Sequence, residues 1–223
     1  MNGFPQRPDP ALQHTLESGL AQLELQLSDA QISDLLMITT MLGKWNRAYN
    51  LTAIRDPRDM VIKHLLDSLA AGPDISGDRV LDVGTGGGFP GLPLAIAKPN
   101  QTFVLLDASA KKVRFVQRVI DELAINNASA IHARVEDYVE MPFDVVTCRA
   151  FASLSDIVAW TQHLVTEGGK IVALKGQTLS SDESGALPEG WHAEQRQVVV
   201  PLLTGDRHLV TVRRHQVSKK AGL

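Results

Sequence analysis

Residues 80–91 read Val80-Leu81-Asp82-Val83-Gly84-Thr85-Gly86-Gly87-Gly88-Phe89-Pro90-Gly91, a short apolar run that breaks abruptly into glycine. Val80, Leu81 and Val83 suit a buried strand, and Gly84, Gly86, Gly87 and Gly88 follow at once. Glycine takes positive φ without steric cost and lets a ligand approach the backbone. Pro90 stands where a helix would start, and amides at such a start can face a polar or anionic group. A GxGxxG string is present as Gly86, Gly88 and Gly91, the pattern of a dinucleotide loop. Its register is late relative to the strand, however, and Pro90 lacks an amide where a pyrophosphate would need one. The better frame is Asp82-x-Gly84-x-Gly86-x-Gly88. It sets an acid inside the strand end, where a carboxylate suits a cationic ligand group such as the amino group of a methionine moiety. A purely structural glycine turn is the plain alternative.

Downstream, apolar runs at 102–106, 130–133, 144–148, 170–174, 196–200 and 209–213 alternate with helix-length segments at 90–98, 109–124 and 153–166. Strand, helix, strand in succession predicts an α/β fold with a parallel, doubly wound sheet. Residues 201–208 are too few for a crossover helix, so the last two strands read as an antiparallel hairpin. The expected architecture is a mostly parallel seven-stranded sheet closed by that hairpin. The second strand ends in Asp107, 23 positions after Gly84. An acid there accepts from ribose hydroxyls and argues against a 2′-phosphate; it can also cap a helix starting near Ser109. Arg134-Val135-Glu136-Asp137 follows the third strand, where it borders a base edge or forms a solvated charged turn.

Upstream, the pattern is helical. Leu12, Leu16, Leu20 and Leu23 share one helix face. Ser28 with Gln31 is a capping box opening a second helix. Asp56-Pro57 starts a third, expected to run through Met60, Val61, His64, Leu65 and Leu69 and stop before Gly72-Pro73. The division is thus a helical extension over 1–79 packed on a core over 80–223, one structural unit in all.

Composition sets limits. The chain has 223 residues, 44% hydrophobic and 21% charged, which fits a folded globular protein rather than a disordered one. Its single cysteine, Cys148, excludes an internal disulfide and a multi-thiolate zinc site, and its Val145–Thr147 surroundings read as core. No apolar signal core and no membrane-length apolar run is visible, so a soluble, cytoplasmic protein is expected, a monomer without metal. The net charge of −3 alone would speak against nucleic acid, but its distribution does not. Residues 1–79 hold ten acidic and seven basic side chains, whereas after Asp206 come Arg207, Arg213, Arg214, Lys219 and Lys220 without an acid. Such a basic end can neutralise phosphates, or simply be solvated. Aromatic residues make up only 5%, which disfavours serial base stacking and favours docking on structured RNA.

Taken together, these segments resemble the class I S-adenosylmethionine-dependent methyltransferases. More narrowly, they resemble the bacterial family that methylates N7 of a guanine in 16S ribosomal RNA, historically called glucose-inhibited division protein B. The resemblance is carried by Trp45-Asn46, Asn50-Leu-Thr-Ala-Ile54, His64-Leu-Leu-Asp67-Ser68-Leu69, Asp82 through Ile96, Leu106-Asp107-Ala-Ser-Ala-Lys-Lys112, Arg134-Val-Glu136, Arg149-Ala150 and Leu174-Lys175-Gly176. It implies S-adenosylmethionine as cofactor, S-adenosylhomocysteine as product, and 16S ribosomal RNA or the small ribosomal subunit as partner. It also implies cofactor contacts at Gly84 and Phe89, at Asp107, at Val135 and Glu136, and at Arg149 near the reacting centre. The residue reading adds Asp82, Gly86 and Gly88 to that set.

Guanine N7 carries an in-plane lone pair and no proton, so its methylation calls for alignment rather than a general base. Arg149 and Lys175, at the C-terminal ends of the fourth and fifth strands, are the candidate catalytic, substrate-side residues; ordinary salt bridges at the sheet edge are the alternative. Arg47, Asn50, His64, Asp67, Lys175, Arg207, Arg213 and Arg214 are the candidate RNA-binding residues. Rival readings are a methyltransferase of another RNA, a protein or a small molecule; an NAD-dependent oxidoreductase using the late GxGxxG; and a non-catalytic nucleotide-binding regulator.

Overall fold

The computed structural model describes residues 9–149, 152–180 and 186–215. Among them seven strands form one sheet: β1 (Arg79–Val83), β2 (Thr102–Asp107), β3 (Ala128–His132), β4 (Phe143–Arg149), β5 (Val165–Lys175), β6 (Trp191–Gln197) and β7 (His208–Arg214). Their order is β3-β2-β1-β4-β5-β7-β6. β1 to β5 run parallel, and β7 lies antiparallel between β5 and β6. Because β1 is flanked by β2 and by β4, the winding reverses there, and a crevice opens beyond the carboxyl ends of these strands.

Period-two alternation distributes the strand side chains to two cores. Val80, Phe103, Leu105, Val145 and Val172 face one apolar cluster, while Leu81, Val83, Val104, Val146 and Ile171 face the other. The first cluster is closed by α1 (Pro10–Gln22), α2 (Asp29–Tyr49), α5 (Gly91–Ala97) and α6 (Ala110–Leu123), the second by α7 (Leu154–Thr161). Leu16, Leu35, Ile38, Met41 and Leu42 are fully buried in the same cluster as the sheet residues, so the N-terminal helices complete the core rather than decorate it.

Local signals explain the helix ends. Ser28 Oγ accepts from the Gln31 amide and Gln31 Oε1 accepts from the Ser28 amide, the expected capping box; Gln31 Nε2 also donates to the Ile96 carbonyl, tying α2 to α5. α2 ends at Asn50 in the left-handed region (φ 48°). Asp56 caps α3 (Pro57–Met60) by accepting from the Asp59 amide. The third helix then departs from the simple expectation: a π-helical turn, Val61–Leu66, leads into α4 (Asp67–Ala70). π turns insert within α-helices mostly where side chains are put to use.

β6 also differs. The apolar run at 196–200 is not the strand; β6 is Trp191–Gln197. β6 is an edge strand made largely of exposed polar residues, so no apolar run marks it. The adjoining valines serve the return to β7, with Val200 buried and Val199 81% exposed.

Candidate functional site

The glycine loop leaves the carboxyl end of β1 with Gly84, Gly86 and Gly88 all at positive φ (66°, 62° and 90°), the alternate positions of the Asp82-x-Gly-x-Gly-x-Gly frame. Gly88 is also sterically obligatory, since a Cβ there would lie 2.2 Å from Leu92 Cδ1. Phe89-Pro90 is a cis peptide bond. The Gly86 amide donates to Asp107 Oδ2 at 2.9 Å, so the loop is pinned to the end of β2. Asp82 does not face the crevice as expected. It is fully buried behind the loop, where Oδ2 accepts from Thr85 Oγ1 (2.6 Å) and from the Gly91 amide (2.9 Å). Burial, outweighing those bonds, pushes its carboxyl up to about 7. Asp82 therefore fastens the loop from within, because Thr85 and Gly91 fold back over it.

Beyond the loop lies a cleft of about 440 Å3, walled by Gly84, Asp107, Val135, Glu136, Arg149 and Trp160 among others. Asp107 is its best-placed acceptor. Its Oδ1 accepts from the Ser109 amide at 2.8 Å, and Lys112 Nζ stands 3.4 Å from Oδ2, so the helix-start reading holds in a side chain that also lines the cleft. Val135 is buried at the start of a 3-10 turn (Val135–Asp137), and Glu136 is held by Arg134 at 2.8 Å. The backbone amide of Glu136, then Arg134, keeps its carboxyl below the ordinary range. Trp160 and Lys112 escaped the sequence reading as wall residues. The signal for Trp160 is a large aromatic off the buried Leu154-Ile157-Val158-Thr161 face of α7.

Phe89 turns inward from the loop and joins a second assembly. The His64 ring stacks on it at 4.5 Å, and the Arg149 guanidinium lies over it at 5.4 Å. Arg149 Nη1 donates to the Lys63 carbonyl (3.0 Å) and approaches Asp67 Oδ2 (3.4 Å), and its Nη2 donates to His64 Nδ1 (3.1 Å). Arginine has only donors, so His64 Nδ1 must accept and Nε2 must carry the proton, which goes to Thr52 Oγ1 at 3.0 Å. Burial first, and Arg149 second, drive His64 down to about 3. Burial likewise lowers Arg149, opposed by Asp67. Asp67 Oδ1 accepts from Arg207 Nε at 2.9 Å, so one carboxylate serves two guanidiniums. Asn46 completes the frame by donating to the Thr52 carbonyl and accepting from the Thr52 amide. The π-helical turn supplies the Lys63 carbonyl and His64 in one place.

The expected RNA wall is not all at the surface. His64 and Asp67 are each 5% exposed, His64 bonded to Arg149 and Asp67 to Arg149 and Arg207. Arg213 and Arg214 stand at the wrong edge: β7 runs antiparallel, pairing Lys175 with His208 but Lys170 with Arg213, so the end of β7 returns to the edge opposite the cleft. There Arg213 faces Glu194 (3.9 Å), and Arg214 packs on Trp191 and donates to the Gln162 carbonyl. Arg207, immediately before the same strand, and Lys175 share the cleft edge. Arg47 and Asn50 are exposed at the end of α2, and Asn50 Oδ1 accepts from Arg55. Ala150, Lys219 and Lys220 lie outside the described residues. Cys148 is buried, its thiol pushed up to about 12, consistent with a core residue. Among the described residues no group of His, Cys, Asp and Glu is placed to hold a metal, and no helix is long and apolar enough to cross a membrane.

The strand order, the glycine loop after β1 and the acid closing β2 define a class I methyltransferase fold. Solved structures agree: an O-methyltransferase from Bacillus cereus in complex with S-adenosylhomocysteine covers 90% of the chain and 100% of its own at a TM-score of 0.56 and 17% identity. An O-methyltransferase from Streptomyces achromogenes in complex with S-adenosylmethionine gives 0.56 at 15% identity over 90% of the chain and 96% of its own. Within that class, the chain belongs to the rRNA small subunit methyltransferase G family, whose model matches residues 31–210. Relatives named ribosomal RNA small subunit methyltransferase G include those of Idiomarina loihiensis (47% identical, covering 90% of the chain and 98% of the relative) and Erwinia tasmaniensis (48%, 86% and 94%). That of Escherichia coli is 45% identical over 91% of the chain and 98% of the relative.

Proposed function

We propose that the protein transfers the methyl group of S-adenosylmethionine to N7 of a guanine in 16S ribosomal RNA, as a cytoplasmic monomer. The cleft fits that cofactor. Its volume of about 440 Å3 suits a nucleoside-sized ligand. Asp107 Oδ1, which accepts one bond from Ser109, retains a lone pair for a ribose hydroxyl, and Val135 and Trp160 offer apolar surface to a base. Gly84 and Gly86 at the loop, Asp107, Val135 and Glu136 would hold it, with Gly88, Asp82 and Phe89 shaping the loop behind. When bound, S-adenosylmethionine supplies a methyl group already activated on a sulfonium sulfur.

One observation carries the reading of the acceptor. The histidine of the site is locked neutral with both ring nitrogens occupied, so the assembly offers a fixed cation rather than a base. An acceptor with a free lone pair, such as guanine N7, needs nothing more. Arg149 keeps its Nε–H and its second Nη2–H without a partner among the described residues. These donors suit guanine O6, since a donor on N7 would occupy the reacting atom. Lys175 at the neighbouring strand end adds positive charge toward the RNA. Asp67 balances Arg149 and Arg207, and the stacked His64 and Phe89 exclude water behind the guanidinium.

The test is transfer of labelled methyl groups to 16S RNA and to small subunits from cells lacking this gene, followed by mapping of the base. One guanine N7 should carry the label. Label on protein, or on another base atom, would overturn the substrate while leaving the fold untouched.

A further inference from the structure

A second recess lies away from the cleft, between α2 and α3, with a volume of about 480 Å3. Its lining includes Thr39, Thr40, Gly43, Lys44, Arg47 and Arg55, and no carboxylate. Arg47 and Arg55 have no acidic partner among the described residues; Arg55 is steadied instead by Asn50 Oδ1 at 3.2 Å. In a chain of net charge −3, a recess lined by cations and no carboxylate is a distinct electrostatic feature.

Gly43 supplies an independent observation. Glycine inside a helix weakens it relative to alanine, and such a residue usually answers to close packing. Here packing asks for nothing, because a Cβ built on Gly43 meets no neighbouring group within 4 Å. Gly43 instead lines the recess, where the space a side chain would take is left open. The recess also adjoins the site through bonded groups: Asn46, on its wall, holds Thr52, which accepts from His64, which accepts from Arg149.

We infer that this recess binds the ribose–phosphate backbone of the substrate RNA, with Arg47 and Arg55 on phosphates and Gly43 giving the sugar close approach. The inference rests on the rRNA reading above. It places a second anchor on the helical side of the molecule, so that the RNA is held on both sides of Arg149. Arg47 and Asn50 then belong to the RNA surface for a stated reason, Asn50 through Arg55.

The test uses the full chain with unmethylated small subunits and with 16S RNA. Gly43→Gln fills the recess with a good helix former. It should leave the melting temperature equal or higher and cofactor affinity unchanged, while raising KM for RNA severalfold with kcat preserved. Arg47→Gln with Arg55→Gln should flatten the salt dependence of RNA binding by about one unit of slope per arginine. A photo-crosslinker on Thr40→Cys, which the buried Cys148 will not compete for, should label RNA. Normal KM and salt slope in variants of an enzyme that methylates 16S RNA would overturn the inference alone. Crosslinking to a ribosomal protein would reassign the recess to that partner. If the unaltered protein labels no rRNA, it is the substrate reading that fails.

Discussion

The glycine loop and the Arg149 assembly meet at Phe89, yet they are built in opposite ways. The loop is made of backbone: positive φ at alternate glycines, amides donated to Asp82 and Asp107, and contributors drawn from residues 82–91 and the end of β2. The Arg149 assembly is made of side chains from five separate segments, with Asp67 reaching Arg149 across 82 positions and Arg207 across 140. A backbone-built pocket is local and tolerant, since its shape follows from φ values that one segment dictates. A side-chain assembly is fixed only when the whole core has closed, and it fails as a unit when one member goes. The half proposed to hold the cofactor should therefore lose affinity in small steps, and the half proposed to meet the RNA should lose integrity in large ones.

The largest effect is expected at Asp67. Asp67→Ala leaves the Arg149 and Arg207 guanidiniums without their shared counter-charge. Removing one partner of a buried pair costs about 3–5 kcal/mol, and the partial exposure of Arg149 and Arg207 brings the expectation to ~3 kcal/mol. Urea denaturation should show the loss, and turnover should fall with it. A variant as stable as the native chain would mean that water, not Asp67, balances these arginines.

Next comes pH, where the two halves pull in opposite directions. Asp82 rises from 3.8 to about 7 on folding. Between those values the folded carboxyl stays protonated while the unfolded one ionises, so stability falls as pH rises through that window. His64 drops from 6.5 to about 3, so the unfolded state takes up its proton first and stability falls as pH falls below 6.5. The slopes oppose one another over the shared window and the native profile should be flat there. Asp82→Asn keeps the acceptor for Thr85 and Gly91 but removes the charge. Its stability should exceed the native value at pH 8 and decline by ~1.4 kcal/mol per unit below the histidine's ordinary range. Cofactor affinity should change little, because Asp82 acts through the loop's bonds. A large loss of affinity in Asp82→Asn would restore the expected direct role of its charge.

Asp107→Ala and Arg149→Lys form a crossed pair of smaller size. Loss of the Asp107 acceptor should raise the cofactor dissociation constant about tenfold, a cost of ~1.4 kcal/mol, with little change in RNA KM. Arg149→Lys retains charge but loses the fork that bonds Lys63, Asp67 and His64 together, so kcat should fall while calorimetric cofactor affinity stays within a few-fold. Both variants lowering the same parameter would erase the distinction between the halves.

That distinction also accounts for what could be read from residues alone. The sheet, the loop frame, the Asp107 position and the capping box are written in contiguous patterns, and the structure keeps them. His64 and Asp67 were visible as a pair on one helical face, but the face could not reveal whether it turned to RNA or to Arg149. The partners come from β4 and from the loop before β7, and only tertiary closure brings them there. The π-helical turn had no signature beyond an ordinary helical run. β6 was displaced because an edge strand carries polar residues where apolar ones were sought. Strand polarity was not available either: a hairpin leaves open which of its strands lies against β5, and β7 doing so antiparallel is what returns its end to the far edge.

The smallest expected effect follows from that geometry. Arg213→Gln with Arg214→Gln removes two positive charges from a chain of net charge −3, and a view based on charge alone predicts a loss of RNA binding. The register places Arg213 beside Lys170 and Arg214 against Trp191 and Gln162, at the edge away from Arg149. A charge more than a Debye length from the RNA, ~8 Å at physiological ionic strength, contributes little, so the salt slope of RNA binding should stay unchanged. Arg207→Gln, just before the opposite end of β7, should flatten that slope and also cost stability by loosening Asp67. Equal slopes for the two sets of variants would show that the RNA wraps the far edge as well. The binding surface would then follow net basicity, not the cleft edge of the sheet.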